Sequence, residues 1–156
     1  MKELKITSPA FKHNGMIPSK YTCDGDNISP PLNIGDVPKE TVSLVLIMDD
    51  PDIPQFVKEK FDIDIWDHWV VFNIPANVTT IFEGRNPPGI IGKNTQNKNV
   101  YTGPCPPDRE HRYFFKVYAL DTKLSISNNS KKQDVEKVMK DHIIAKGELI
   151  GLYKRQ

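Results

Sequence analysis

Cysteine is scarce in this chain and nothing in its placement suggests a metal site. Cys23 and Cys105 are the only two, they form no CxxC pair, and no Cys/His array accompanies them, which removes zinc-ribbon and thioredoxin-type readings. On these grounds alone they stand as two free thiols or as one bridge, according to compartment and growth temperature. An excess of either charge is missing too. The 21 Lys and Arg balance 20 Asp and Glu, for a formal net charge of +1, and interspersed charge of this kind argues against a nucleic-acid footprint or a polybasic membrane patch. No run approaches the roughly 20 apolar residues of a membrane span, and the N-terminal MKELKITSPAFKHNG has no apolar signal core. A cytoplasmic protein without membrane insertion is therefore expected. GxSxG, HExxH, HxH, DxDxDG and phosphate-cradling glycine loops are all absent, as are internal repeats. Those absences weigh against a hydrolase and against any metal or cofactor.

What the chain does have is proline. Thirteen prolines in 156 residues, clustered at Pro30-Pro31, Pro87-Pro88 and Pro104 to Pro107, favour strands and loops over helices. The length suits one domain, residues 1–156, with a core of its own. Val42 to Met48 is an almost continuous apolar run, as a strand covered on both faces would be. His68 to Ile74 reads as a second strand and His111 to Leu120 as a third. Short edge strands are expected near residues 3–9 and 16–18, and a loop with a helical turn over 55–65. Ser130 with Gln133 reads as a capping box for one long helix, Lys131 to Lys146, ended by Gly147, with Val135, Val138, Met139, His142 and Ile143 as its apolar stripe.

Chemistry-bearing residues gather at strand ends. Asp50 and Asp52 close the first strand, held extended by Pro51 and Pro54, and at that spacing they point the same way. His68 opens the second strand, with Val70, Phe72 and Ile74 on its face. Before His111 the segment YTGPCPPDRE is a stiff loop; after it, alternation places His111 and Tyr113 side by side on a face that turns apolar. By residue type alone His and Tyr are as much at home in a core as in a site. The polar segment 92–100 reads as a mobile flank to this stretch. If the strand ends meet, they form a pocket of two carboxylates, two imidazoles and a phenol, lacking an activated nucleophile and so suited to binding more than to turnover.

YTCDGDNISPPL, DDPDIP, WDHWVVFNIP and YTGPCPPDREHRYFFKVYALD together resemble the phosphatidylethanolamine-binding protein family, in particular its prokaryotic Raf-kinase-inhibitor-like branch, over residues 5–155. The resemblance implies a mainly β fold, a Greek-key β-sandwich with a few helices, and a non-catalytic pocket for phosphate or phosphorylated head groups. Residue by residue it carries over Asp50 and Asp52 as the DPDxP carboxylates, His68 as the pocket His, His111 and Tyr113 from the HRY block, and Pro106 and Pro107 as the pocket wall. Asp108-Arg109-Glu110 stands where a glycine-containing turn is common in the family. Cys23 and Cys105 lie in the blocks flanking that pocket, so a disulfide between them and a pair of unrelated buried thiols are equally open. The implied partners are a small anion or, alternatively, a protease or kinase met through the loops, and a homodimer is one admissible assembly. His111→Ala is expected to weaken binding and leave the fold intact.

Overall fold

The computed structural model describes residues 1–156. In chain order the elements are β1 (Lys2–Glu3), β2 (Lys5–Thr7), β3 (Gly15–Met16), β4 (Leu32–Gly35), β5 (Ser43–Asp50), α1 (Gln55–Phe61), β6 (Trp66–Pro75), β7 (Thr80–Ile81), β8 (Ile90–Ile91), β9 (His111–Leu120), α2 (Lys132–Met139) and β10 (Ile143–Tyr153). The apolar run of β5 is buried along its whole length because β6 pairs antiparallel on one side of it and β9 on the other. The seven-stranded sheet runs β1-β10-β9-β5-β6-β8, with β3 also pairing with β10, and a three-stranded sheet runs β2-β4-β7. Leu44, Leu46, Met48 and Trp69 of the large sheet meet Ile6, Leu32, Ile34 and Ile81 of the small one in the main core. Val45, Ile47, Val70 and Phe72 form a second apolar layer on the outer face, covered by Val135 and Met139 of α2. Each fully buried side chain of this size contributes roughly 1.5–3 kcal/mol. The mainly β architecture with a helix near the C-terminus is the one the sequence leads to.

Strict alternation along β6 fails at two points, and both are bulges. Met48 pairs with Trp69 and Asp49 with Asp67, so His68 is an extra residue between two pairs. Leu44 pairs with Ile74 and Leu46 with Val71, which leaves another extra residue near Asn73, whose φ is 55°. Asn tolerates that left-handed backbone, and its side chain secures the bend by accepting from the Leu124 N–H at 2.8 Å and donating to the Leu124 carbonyl at 2.9 Å. Ile74 accordingly joins Trp69 and Val71 in the main core, not Val70 and Phe72. A one-residue slip is what moves a side chain across a sheet.

The C-terminal helix is shorter than its periodicity suggests. It ends at Met139, a 3-10 turn covers Lys140–His142, and Ile143 to Lys146 belong to β10. The β-branched pair Ile143-Ile144 favours a strand, and pairing of Ile143 with Leu120 and of Ala145 with Ala119 on β9 settles it. Gly147 is there for close approach, not as a helix stop: a Cβ would lie 2.2 Å from the Leu4 carbonyl oxygen. The helix is capped at Lys131, whose N–H donates to Asp134 Oδ2 at 2.9 Å, and not by Ser130 with Gln133. Val135 and Met139 are buried, whereas Val138 is 38% exposed and His142 pairs with Asp121 at the surface. An acidic residue at 138 is thus tolerable, and Val135 is the position where one would be ruinous.

Segment 92–100 is built rather than loose. Buried Asn94 donates to the Val100 carbonyl at 2.9 Å and accepts from the Lys98 N–H at 3.1 Å. Asn99 donates to the carbonyls of Ile91 and Asn128, each at 2.7 Å. Asparagines that read as flexible polarity are the segment's internal hydrogen-bond frame.

Candidate functional site

His111 is the first residue of β9 and is almost wholly buried, 1% exposed. Its Nδ1 lies 2.7 Å from Asp50 Oδ2 and its Nε2 lies 2.6 Å from Asp108 Oδ1. A neutral imidazole has one N–H and one bare nitrogen, so a ring facing carboxylate oxygens at both ends must carry both protons. Burial by itself would pull the His111 pKa down, but the hydrogen bonds and charges of Asp50 and then Asp108 outweigh it and raise it. Burial likewise works against the Asp108 carboxylate, and the bond from His111 overrides it, holding that carboxyl below its ordinary value. Asp50 is aimed by its own turn: the Asp52 N–H donates to Asp50 Oδ1 at 2.7 Å, the Asx geometry that an Asp-Pro step supports.

His68 has the opposite character. Its Nδ1 donates to the Thr102 carbonyl at 2.7 Å, which leaves Nε2 as a bare acceptor. Burial lowers its pKa, against the raising effect of the Thr102 carbonyl and of Asp50. The bulge turns this ring to Tyr113, edge to face at a centroid distance of 5.4 Å, while the His111 ring is stacked on Tyr113 at 6.3 Å. Burial, followed by the charge of Asp50, pushes the Tyr113 phenol well up. It stays protonated and available as a donor.

The surrounding wall comes from the proline-rich loop. A disulfide joins Cys23 to Cys105, with Cα atoms 5.4 Å apart. Beside it the Cys23 N–H donates to the Pro104 carbonyl at 3.1 Å and the Gly103 N–H to Asn27 Oδ1 at 2.8 Å. Gly103 is obligatory in that contact, since a Cβ would stand 2.3 Å from the Tyr21 carbonyl oxygen. Of the residues proposed from sequence, Asp50, His68, Pro106, Pro107, His111 and Tyr113 all line one cavity of about 250 Å³. That is below the roughly 300–1,000 Å³ usual for a drug-sized ligand, so a small group is what fits.

Asp52 is not among them. Its carboxylate turns to Arg112, accepting from the backbone N–H, Nε and Nη2, each at 2.9 Å. Those bonds, led by the one from the Arg112 side chain, hold it below the ordinary carboxylate value. Pro51 and Pro54 keep the segment extended, yet a turn between Asp50 and Asp52 separates the two side chains, so the expectation that they point together fails. Asp52 serves the site through its N–H, which aims Asp50.

Sequence reasoning also missed the apolar side of the cavity, lined by Ile53, Pro54, Val57, Phe61 and Trp66. The Phe61 ring meets Trp66 edge-on at 5.1 Å. None of the seven residues of α1 is buried, and a short charged stretch with an aromatic at each end was the available signal. No group of three or more His, Cys, Asp or Glu side chains is arranged to hold a metal ion.

Residues 7–154 match the family model described as phosphatidylethanolamine-binding protein. The chain belongs to that family. A UPF0098 protein of Methanothermobacter thermautotrophicus is 46% identical over 158 residues, covering 97% of this chain and 99% of the relative. A crystal structure of a phosphatidylethanolamine-binding protein homologue from Chlamydia trachomatis, CT736, superposes with a TM-score of 0.94 at 43% identity, over the whole of both chains. YbcL of Escherichia coli, another family member, gives 0.86 at 31% identity over 99% of each chain. No helix is long and apolar enough to cross a membrane.

Proposed function

We propose that this family member binds a small oxyanion of the phosphate type, free or as a phosphorylated head group, without chemical turnover. The observation that carries the reading is the carboxylate on His111: an anionic oxygen already rests against Nε2 of a buried imidazolium facing the cavity. Around that point the site offers the Tyr113 hydroxyl as a donor and bare Nε2 of His68 as an acceptor. A phosphate monoanion presents the matching set, with oxygens for the two donors and a P–OH for His68. The cavity holds no free thiol, because Cys105 is bonded to Cys23, and His68 spends its Nδ1 on a carbonyl rather than on a nucleophile. These features support binding over covalent catalysis.

The site should prefer mild acid. His111 is the cation, and its raised pKa keeps it charged below that value and discharges it as pH climbs through it. Phosphate monoesters gain a second charge near pH ~6 and lose the P–OH that His68 would accept. Calorimetric titration with inorganic phosphate and phosphoethanolamine at about pH 5.5 and about pH 8.5 tests both effects. Tighter binding at the lower pH is expected, and equal affinity at the two would end this assignment. The competing role, regulation of a protease or kinase through the loops, predicts partner capture that persists when His68 is changed and is lost when segment 92–100 is deleted. A cytoplasmic setting is kept as part of the proposal only for a cytosol that tolerates structural disulfides, as those of hyperthermophiles do, and thiol titration of freshly isolated protein that finds Cys23 and Cys105 free would overturn it.

A further inference from the structure

We propose that Asp108 is a built-in competitor for the anion position, and that it makes the pocket refuse simple carboxylates while admitting tetrahedral oxyanions. The inference rests on the oxyanion reading of the pocket and adds how that site selects its ligand.

The geometry is that of a ligand already bound. Asp108 Oδ1 is 2.6 Å from His111 Nε2, and Asp50 holds the other ring nitrogen, so every N–H of the imidazolium is in use. Asp108 itself is not part of the core: its side chain is 31% exposed, against 4% for Asp50. Its other oxygen lies 3.6 Å from Arg109 Nε, and Arg109 Nη2 donates to the Asp52 carbonyl at 3.1 Å. Asp108 is thus steadied from outside and can leave the site without opening the fold. It also sits three residues after Cys105, with Pro106 and Pro107 between, so the carboxylate is tethered to a fixed point by a stiff, short span.

Tethering decides the competition. A carboxylate on a short linker acts at an effective concentration in the millimolar range or above. Free acetate offers Nε2 the same kind of oxygen that Asp108 does and keeps only one more, against three on a phosphate or sulfate, so it has less to offset the tethered carboxylate and at low millimolar concentration it loses. A phosphate or sulfate has further oxygens to accept from Tyr113 as well, and so can win. The cost appears as a fraction of competent molecules: if about nine-tenths have Asp108 seated, apparent affinity falls about tenfold from its intrinsic value.

The test is calorimetry with inorganic phosphate, sulfate and acetate on the native protein, Asp108→Asn and Asp108→Ala, at about pH 6 and constant ionic strength. The proposal expects native protein to bind phosphate and not acetate, both variants to bind phosphate about tenfold tighter or better, and acetate binding to appear in Asp108→Ala. Phosphate should also move the Asp108 carboxyl carbon resonance of the native protein toward that of a solvated Asp. Native phosphate binding with variants equal or weaker, or with the Asp108 resonance unmoved, would overturn the competitor and leave the oxyanion site standing. No phosphate binding by any of the three would overturn both.

Discussion

Asp49 and Asp50 are consecutive residues on one strand, nearly equally buried, and they serve opposite faces of the sheet. Asp49 points outward beneath α2, where its Oδ2 accepts from Lys116 at 3.0 Å and from Lys132 at 3.3 Å. Lys132 also lies 2.8 Å from Asp67 Oδ1, as an ion contact rather than a well-aligned hydrogen bond. Burial would lower the Lys132 pKa, but Asp67 and then Asp49 overcome this and raise it further from the neutral range. Asp50 points to the cavity and has a histidine instead. The outer cluster is a fixed clasp between helix and sheet; the inner one has an imidazolium that loses its charge as pH rises through its raised pKa, and a second partner on an exposed loop. Two adjacent carboxylates with the same burial can therefore differ in purpose according to whether the counter-ion titrates.

Breaking the clasp should cost most. Lys132→Ala leaves Asp67 unpaired and Asp49 with one cation, and loss of about 3–5 kcal/mol is expected from urea unfolding, as for other buried pairs robbed of one partner. His111→Ala comes next, at about 2–3 kcal/mol, because it strips a charged hydrogen bond from buried Asp50. This corrects the expectation that His111 could be removed with the fold untouched, which assumed that a strand mouth lies outside the interior. Restored stability in the double change Asp50→Asn with His111→Ala would attribute the loss to the orphaned charge.

The pH dependence sharpens the contrast. His111, with a raised pKa in the fold, contributes stability that is complete below its unfolded value of ~6.5 and is lost as pH rises through the folded value. His68, with a lowered pKa, works the other way: as pH falls below ~6.5 the unfolded chain takes a proton that the buried ring refuses, and stability drops until the folded value is passed. The two slopes meet near pH ~6.5, each at most about 1.4 kcal/mol per pH unit. Urea midpoints across this range should peak there. His111→Ala should flatten the alkaline flank and His68→Asn the acidic one, while Lys132→Ala should lower the curve most at neutral pH and less in acid, where the buried, unpaired Asp67 takes up a proton. The smallest effect belongs to Lys116→Ala, at about 1 kcal/mol or less, since its side chain is 27% exposed and Asp49 keeps Lys132.

How far this was legible from sequence depends on range. The three central strands and the cavity residues on them follow from apolar runs and proline stops, which are local signals, and β5, β6 and β9 appear where those signals place them. The family blocks put Cys23 near Cys105 but left their bond open. Harder to see was whatever another strand decides. Residues 143–146 continue a helical stripe in sequence, and only the partner strand β9 makes them extended. The bulge at His68 exists in the register with β5 and has no mark in the sequence of β6. Asp52 obeys the extended-spacing rule on paper, yet Arg112 from 60 positions away claims it. Asp108 was visible only as a departure from the glycine-containing turn common in the family, and its contact with His111 gives that departure a physical meaning.

The bond between Cys23 and Cys105 closes 82 positions of chain into a covalent ring that contains β4 through β8. Within that ring, Phe82 to Asn86 are exposed and include Arg85. Trypsin cutting once after Arg85 would therefore add one water to the mass and release no fragment. On a non-reducing gel the nicked molecule would still migrate as one polypeptide, and only a reductant would divide it in two. A preparation judged intact from a non-reducing gel alone could thus already be cut within the ring.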